Sequence, residues 1–239
     1  MQQMENHKHE IPEMPLMNNE RTQMPERLRW RIAQFFELQW WKSHLRGKEK
    51  QQYLSGKRKY WNTVLKIIER IQVLPKSGKV LDAGCGPSGI YMVLHDYVVE
   101  AVDPLVDFYE SNLEFFDRSD YPWTNFINGA LETVPLSSDY DLVFSMNAIN
   151  HVADLDLCLD RLIGSLRSGG LLIITVDVHN YFVLKHIFNA IKGDILHPHQ
   201  YTKEEYGHML SKRNCVLIEA ERLKHELVFD HYLFIARKV

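Results

Sequence analysis

A glycine-rich turn in the first half of the chain points most directly to ligand binding. The apolar run Lys79–Ala83 is typical of a buried strand, and residues 84–89 after it have the spacing GxGxxG. Glycines there allow positive φ angles and close approach of the backbone to a ligand. The helix expected at 88–96 would offer unpaired N–H groups to a carboxylate or phosphate. Glycine turns without a ligand share this pattern, so the turn alone does not establish a ligand-binding site.

An acidic residue follows the next predicted strand, at 98–102. Asp103 lies 21 residues after Asp82, at the end of that strand. In open α/β sheets a carboxylate at this position accepts hydrogen bonds from the ribose hydroxyls of an adenosine-containing ligand. The turn and the acid together predict either a dinucleotide or an adenosyl ligand, and later segments must distinguish the two.

The elements that would position these residues are strands and helices that alternate along the chain. Beyond Ser77 and Gly78, short aliphatic runs alternate with helical periodicity, as in βαβ units around a mostly parallel sheet. Two C-terminal strands have a connection too short for a crossover helix, so they are predicted to pair antiparallel. The predicted fold is a Rossmann-like, doubly wound α/β sheet of seven strands. The predicted strands are 79–83, 98–102, 125–128, 140–146, 170–177, 215–220 and 228–236, and the predicted helices are 88–96, 105–117 and 153–168.

The region before this sheet divides into two parts. Residues 1–24 are rich in Met, Gln, Asn, Glu and Pro without apolar periodicity, which predicts a disordered tail. Residues 25–75 contain two amphipathic helical patterns that end at Pro75. Residues 76–239 are expected to form one α/β domain, so the sequence predicts a helical extension on a single main domain.

Composition and charge exclude several classes of protein. Hydrophobic residues at 45%, charged residues at 25% and a net charge of -3 are ordinary for a globular protein and do not suggest nucleic acid. The basic cluster 46–59 is interpreted as a solvated helix face. Three cysteines without CxxC spacing indicate neither a zinc site nor a disulfide framework. No apolar run approaches a membrane span or a signal peptide, and we expect a soluble, cytoplasmic protein.

The later segments resemble class I S-adenosylmethionine-dependent methyltransferases, with the outline of ubiquinone-biosynthesis enzymes. Residues 128–136 and 139–152 are similar to the middle motifs of that family, and Gly169-Gly170 is similar to the glycine break before its fifth strand. With the terminal hairpin, the resemblance covers about residues 57–239. It implies S-adenosylmethionine as cofactor and S-adenosylhomocysteine as product. It also implies a helical lid at 25–75 and a catalytic domain at 76–239.

The same resemblance implies roles for individual positions. Asp82, Gly84 and Gly86 would hold the methionine portion of the cofactor, Asp103 the ribose, and Asn147 would lie beside the cofactor. An acid that often receives the adenine amino group is replaced by Ala130, so backbone groups or Glu132 would supply that contact. The full set of predicted cofactor positions is Tyr60, Asp82, Gly84, Cys85, Gly86, Asp103, Pro104, Ala130, Leu131 and Asn147.

Two histidines are candidates for the acceptor side. His151 follows the fourth predicted strand, at the sheet edge where ligands bind, and either orients or deprotonates the acceptor or satisfies backbone groups at a helix start. His199 precedes a helix with Thr202 and Glu205 as its capping box and is interpreted as an acceptor contact. No acidic or cysteine partner stands at ligand spacing from His199, so no metal is expected.

Aromatic residues are concentrated in the N-terminal helices. Such stripes usually pack, but a lid over the cofactor, as the resemblance implies, would bring Tyr60 to the ligand. An interfacial membrane helix is a minor alternative, because aromatic and basic residues alternate around 28–48. The aromatic residues in question are Phe35, Phe36, Trp40, Trp41, Tyr60 and Trp61.

The predicted function is methyl transfer to a small-molecule acceptor by in-line displacement, for which the protein aligns the acceptor and excludes water. Methylation of RNA is disfavoured, because no basic domain is added and Asn147 is not followed by a Pro-Pro-Tyr sequence. Two alternatives stay open. One is a non-catalytic protein that binds S-adenosylmethionine or S-adenosylhomocysteine on the same scaffold, and the other is a nicotinamide-dependent dehydrogenase.

Overall fold

A computed structural model describes residues 26–179, 201–225 and 229–239 of the chain. The predicted tail 1–24 and His199 lie outside the described residues. The helices are α1 Glu26–Leu45, α2 Lys50–Ile71, α3 Val106–Asn112, α4 Leu155–Ser165 and α5 Lys203–Ser211, with short 3-10 helices at Ile90–Val93, Arg118–Asp120 and Ile149–His151. The strands are β1 Lys79–Ala83, β2 Val98–Asp103, β3 Thr124–Asn128, β4 Tyr140–Met146, β5 Leu166–His179, β6 Cys215–His225 and β7 Phe229–Lys238.

The seven strands form one sheet in the order β3-β2-β1-β4-β5-β7-β6. Neighbouring strands from β3 to β5 pair parallel, and β7 pairs antiparallel with both β5 and β6. This confirms the predicted Rossmann-like sheet with its antiparallel C-terminal hairpin. The strand order reverses between β1 and β4, so the crevice for a ligand opens at the carboxyl ends of these two strands.

Apolar layers cover both faces of the sheet. On one face, Trp61, Val64 and Ile68 of α2 belong to the same buried cluster as Phe144 of β4 and Ile173 of β5. On the other face, α4 and α5 pack on the alternate residues of the same strands. Alternation of side chains along a strand therefore sends β4 and β5 residues into two separate cores.

Local capping and turns explain where several helices begin. Gly47, with φ 74°, follows the end of α1, and the Glu49 carboxylate accepts hydrogen bonds from Gln51 N and Gln52 N at the start of α2. The capping box predicted before α5 is present, since Glu205 N donates to the Thr202 hydroxyl and Thr202 N donates to the Glu205 carboxylate.

Two sequence predictions about the glycine-containing segments were wrong in detail. The helix expected at 88–96 is only the 3-10 turn Ile90–Val93. The helix predicted at 153–168 ends at Ser165, and Gly169-Gly170, expected as a break before the fifth strand, lie within β5. The register between β4 and β5 shifts there, and a Cβ on Gly170 would approach the carbonyl oxygen of Tyr140 to 3.1 Å. These glycines therefore accommodate an irregular strand pairing.

Within the described ranges, no helix combines the length and the apolar character needed to cross a membrane.

Candidate active site

The glycine turn joins the carboxyl ends of three strands. Gly84 and Gly86 have φ angles of 74° and 56°, and the N–H groups of Gly84 and Cys85 both donate to the carbonyl oxygen of Val102 at the end of β2. A Cβ on Gly84 would lie 2.3 Å from the Cβ of Ala148, which follows β4. Only glycine allows this approach, so the turn is held between the ends of β2 and β4.

Asp82 is the buried acid at the carboxyl end of β1. Its Oδ2 accepts a hydrogen bond from Tyr91 N at 3.1 Å, and the N–H of Ile90 contributes a second. Burial, opposed by these two bonds, raises the pKa of Asp82 to about 7. The N–H groups that the sequence analysis reserved for a ligand carboxylate or phosphate are therefore used by Asp82. Its contact with the methionine portion of a cofactor stays a prediction.

Asp103 lies beside the glycine turn at the end of β2. Its Oδ2 accepts a hydrogen bond from Gly86 N at 3.0 Å, and its Oδ1 accepts one from Leu105 N at 2.9 Å. Burial raises the pKa of Asp103 to about 6, although these bonds and one from the Tyr109 hydroxyl lower it. Among the described residues, no Lys, Arg or His forms an ion pair with Asp103. A carboxylate has about four acceptor positions, so Asp103 retains capacity for a ligand hydroxyl.

Three residues that the sequence analysis did not assign to the site surround Asp103. Glu37 of α1 accepts a hydrogen bond from the Tyr109 hydroxyl at 3.4 Å, and Trp41 donates to the same Glu37 carboxyl group. The Trp41 ring also lies 3.7 Å from the position that a Cβ on Gly86 would occupy. A sequence signal existed, because Glu37 shares a helical spacing with Trp41 and the buried Leu45.

The turn after β3 is held next to Asp103. Gly129 N donates to the Asp103 carbonyl oxygen at 3.2 Å, which places Ala130 near the proposed ribose site. Leu131 is buried, and its carbonyl accepts a hydrogen bond from Arg161. Glu132 Oε1 accepts a hydrogen bond from Ala153 N at 2.8 Å, and a contact of Glu132 with the adenine stays a prediction. Backbone groups at 129–131 remain for that contact.

The turn after β4 contains Asn147 and His151. Asn147 has φ 54°, and its N–H donates to the Thr175 carbonyl of β5 at 2.9 Å. Its side chain is exposed at the carboxyl edge of the sheet, beside the Ala148 contact with the glycine turn. His151 is also exposed, at the end of the 3-10 turn Ile149–His151. Both residues therefore lie where the sequence analysis expected them, although their roles stay predictions.

A histidine and an aspartate meet beyond the end of β4, on β5 and β7. His231 Nδ1 lies 2.8 Å from Asp177 Oδ1, and the two residues face each other in the antiparallel register. Their side chains are 19% and 36% exposed, so both are only partly buried. No local sequence pattern predicts this pair, because the two residues are 54 positions apart.

Tyr60 of α2 is close enough to this second group for the charge of Asp177 to act on it, and its contact with the cofactor stays a prediction. Its ring packs on Trp61 at 4.7 Å between centroids, and 43% of the residue is exposed. Burial of the hydroxyl, and secondarily the charge of Asp177, raises the pKa of Tyr60. Tyr60 of α2 therefore faces the carboxyl end of β5.

In the part of the chain that the structure describes, no group of three His, Cys, Asp or Glu side chains has the arrangement of a metal site.

The central part of the chain is similar to a known protein family. Residues 81–174 match the family model of the methyltransferase domain. No curated protein matches the chain.

Many solved structures share the fold. The YcgJ protein of Bacillus subtilis is 14% identical, with a TM-score of 0.60 over 74% of this chain and 98% of its own. A SAM-dependent methyltransferase of Methanosarcina mazei is 16% identical, with a TM-score of 0.55 over 72% of this chain and 97% of its own. The 1,6-didemethyltoxoflavin N1-methyltransferase of Burkholderia thailandensis, solved with 1,6-didemethyltoxoflavin and S-adenosylhomocysteine, is 14% identical, with a TM-score of 0.57 over 95% and 93%.

Proposed function

We propose that this chain is a class I S-adenosylmethionine-dependent methyltransferase that transfers the methyl group to a small-molecule acceptor, a proposal that the domain match and the fold support. The observation that carries the proposal is the Asp103 carboxylate, which is buried at the end of β2, bonded to the glycine turn and free of ion pairs with described cations. Such a group suits the ribose hydroxyls of an adenosyl ligand.

The charge around the turn favours S-adenosylmethionine over a dinucleotide. Three acidic side chains, those of Glu37, Asp82 and Asp103, surround the turn, and Asp82 already accepts the N–H groups at the start of the 3-10 turn. A dinucleotide places its negatively charged pyrophosphate on free N–H groups at a helix N-terminus. An acidic site without that free N-terminus suits a ligand with cationic sulfur and amino groups.

Residues of this chain would hold the cofactor in three places. Asp103 would accept the ribose hydroxyls, the backbone at Gly84–Gly86 would approach the methionine portion, and the backbone at 129–131 would border the adenine. Asn147 would lie beside the reacting sulfur. The positive φ angles of Gly84 and Gly86 fit this assignment, because they turn the backbone toward the crevice.

The acceptor is proposed to bind beside Asn147, under Tyr60. When bound, S-adenosylmethionine supplies a methyl group on a positively charged sulfur, and S-adenosylhomocysteine remains. An acceptor oxygen, nitrogen or carbon held beside Asn147 would form the new bond to the methyl carbon as the carbon–sulfur bond breaks. Helices α1 and α2 lie over this face and would exclude water.

Two histidines are candidates for removing a proton from the acceptor. His151 stays a candidate because it is exposed near Asn147. The Asp177–His231 pair provides the second candidate. Asn147 N donates to the carbonyl oxygen of Thr175, and Asp177 follows Thr175 by two residues, or about 7 Å along β5. If His231 donates its Nδ1 proton to Asp177, its Nε2 is left to accept the acceptor's proton.

The proposal that the acceptor is a small molecule rests on similarity to a solved structure. The Burkholderia neighbour, whose fold covers nearly the whole of this chain, was solved with a small heterocycle as its methylation substrate. Basic side chains at 46–59 that would suit nucleic acid are partly engaged, because Lys48 and Lys57 lie over the ring of Tyr53.

Two measurements test the proposed function. Titration calorimetry should detect binding of S-adenosylmethionine and S-adenosylhomocysteine and none of nicotinamide dinucleotides; binding of the dinucleotides alone would overturn the proposal. Incubation with methyl-labelled cofactor and a metabolite extract should then place label in the small-molecule fraction. Cofactor binding without transfer to any fraction would favour the non-catalytic alternative.

A further inference from the structure

A second carboxyl group lies at the proposed ribose site, and it comes from the N-terminal helix. Tyr109 donates its hydroxyl proton to Glu37 Oε1 and is also hydrogen-bonded to Asp103. Its hydroxyl group therefore joins Glu37 of α1 to Asp103 of β2. Glu37 is partly buried, and its burial, followed by the negative charge of Asp103, raises its pKa to about 7.

We infer that Glu37 is a second ligand of the cofactor ribose, so that helix α1 closes the site by binding the cofactor directly. This inference rests on the proposed function. Glu37 and Asp103 would each accept a hydrogen bond from one of the two neighbouring ribose hydroxyls, with Tyr109 between the two carboxyl groups.

The hydrogen-bond donors near the pair are too few for two ionised carboxylates. The Tyr109 hydroxyl has one proton, so it donates fully to only one carboxylate at a time. Trp41 donates to Glu37, and two backbone N–H groups donate to Asp103. The nearest lysine on α1, Lys42, instead bonds to Asn112 and lies over the ring of Phe108. A ligand that brings two hydroxyl donors and positive charge relieves the repulsion between two buried acids.

The position of α1 supports a role in binding rather than in packing alone. Leu38 and Leu45 are 4% and 5% exposed and anchor the helix to the core. Trp41 lies between these two leucines and against Gly86, and Glu37, one turn earlier, accepts the hydrogen bond from the Tyr109 hydroxyl. The helix therefore follows the crevice from the glycine turn to the end of β2. An acid in an apolar contact face is costly unless a partner satisfies it.

Calorimetry with S-adenosylhomocysteine on the full chain tests the inference. The isosteric variant Glu37→Gln should bind about tenfold more weakly than the wild type, because a charge-assisted hydrogen bond becomes a neutral one. Gln39→Ala, on the exposed side of the same helix, is the matched control and should bind as the wild type does. Unchanged or tighter binding by a folded Glu37→Gln variant would overturn the inference.

Deoxy analogues of the ligand identify the hydroxyl that Glu37 binds. Removal of either the 2′- or the 3′-hydroxyl should weaken binding to the wild type, and one of the two removals should cost Glu37→Gln much less. Equal losses in both proteins would mean that Glu37 does not contact the ribose. If the wild type fails to bind S-adenosylhomocysteine at all, the proposed function fails; if it binds and Glu37→Gln matches it, only the Glu37 inference fails.

Discussion

The two halves of the carboxyl edge are built differently. On the side of β1 and β2, Asp82 and Asp103 are 1% and 5% exposed and are bonded to backbone N–H groups of neighbouring residues. On the side of β5 and β7, Asp177 and His231 are more exposed and bond to each other across two strands. The two acids of the first half bond to backbone groups 17 and 9 residues away, whereas the pair in the second half joins side chains 54 positions apart and is less buried.

This difference matches the demands of the two ligands in the proposed reaction. An invariant cofactor is best held by backbone groups in a fixed turn, because such groups lose little freedom on binding. An acceptor has to enter and leave, and the chemistry on it needs side chains that exchange protons. We therefore expect substitutions in the first half to change stability and cofactor affinity, and substitutions in the second half to change turnover.

The largest expected effect is at Gly84. Gly84→Ala would bring a Cβ to 2.3 Å from the Ala148 Cβ at a φ of 74°, and we expect the free energy of unfolding to fall by about 2–4 kcal/mol. Urea unfolding measures this. The control Gly164→Ala, in α4 with open space around it, should change stability by less than about 1 kcal/mol. Equal effects at both positions would show that the turn is not held against β4.

The next prediction concerns His231, in the half of the edge formed by β5 and β7. His231→Ala should slow methyl transfer about 100-fold, with little change in S-adenosylhomocysteine affinity, because the loss of a general base acts on the transition state. The control His225→Ala removes a histidine that bonds to Asp230 at 2.6 Å and is 67% exposed, and it should leave turnover unchanged. Normal turnover in His231→Ala, combined with slow turnover in His151→Ala, would assign the proton transfer to His151 instead.

The difference between local contacts in the first half and long-range pairing in the second also explains which features of the site can be predicted from the sequence. Asp103 is predictable because a strand, a glycine turn and a second strand follow one another in the chain. The short 3-10 turn after the glycines is not, since it depends on the Asp82 carboxylate capping Tyr91. His231 shares a two-residue spacing with Leu233, which places both on one face of β7, but its meeting with Asp177 depends on a register that no local pattern fixes.

Glu37 was missed for a related reason. Its helical spacing with Trp41 marks a contact face, but only the packing of α1 on the sheet shows which part of the site that face meets. From sequence alone, the aromatic residues of this helix are interpreted mainly as packing residues. Helical periodicity therefore predicts that a residue is covered and leaves its partner undetermined.

A smaller effect is expected at Asp103. Asp103→Ala should weaken S-adenosylmethionine binding by about 1–3 kcal/mol, because it removes charge-assisted hydrogen bonds to the ribose. Calorimetry on the folded variant gives the value, and Glu114→Ala, an exposed acid just beyond α3, is the control. An affinity equal to that of the wild type would remove Asp103 from the cofactor site and with it the main support for the contrast between the two halves.

The smallest expected effect is the pH dependence of stability. Burial, and secondarily the charge of Asp103, raises the pKa of Glu37 from 4.5 to about 7, so between these values the folded state holds more protons than the unfolded state. This stabilising contribution is complete below about pH 4.5 and is lost as the pH rises to about 7. The unfolding free energy of the wild type should therefore fall by about 1–2 kcal/mol relative to Glu37→Gln across this window.

Urea unfolding at a series of pH values measures that difference. Among the described residues, the titratable groups that face Glu37 are Asp103 and Tyr109. Both belong to the cofactor half of the edge, so the measurement reports on that half. Glu114→Gln, which alters an exposed acid, should follow the wild-type curve in parallel. A constant difference between wild type and Glu37→Gln at all pH values would mean that Glu37 titrates normally. The interaction between Glu37 and Asp103 would then not be a property that separates the cofactor half of the edge from the acceptor half.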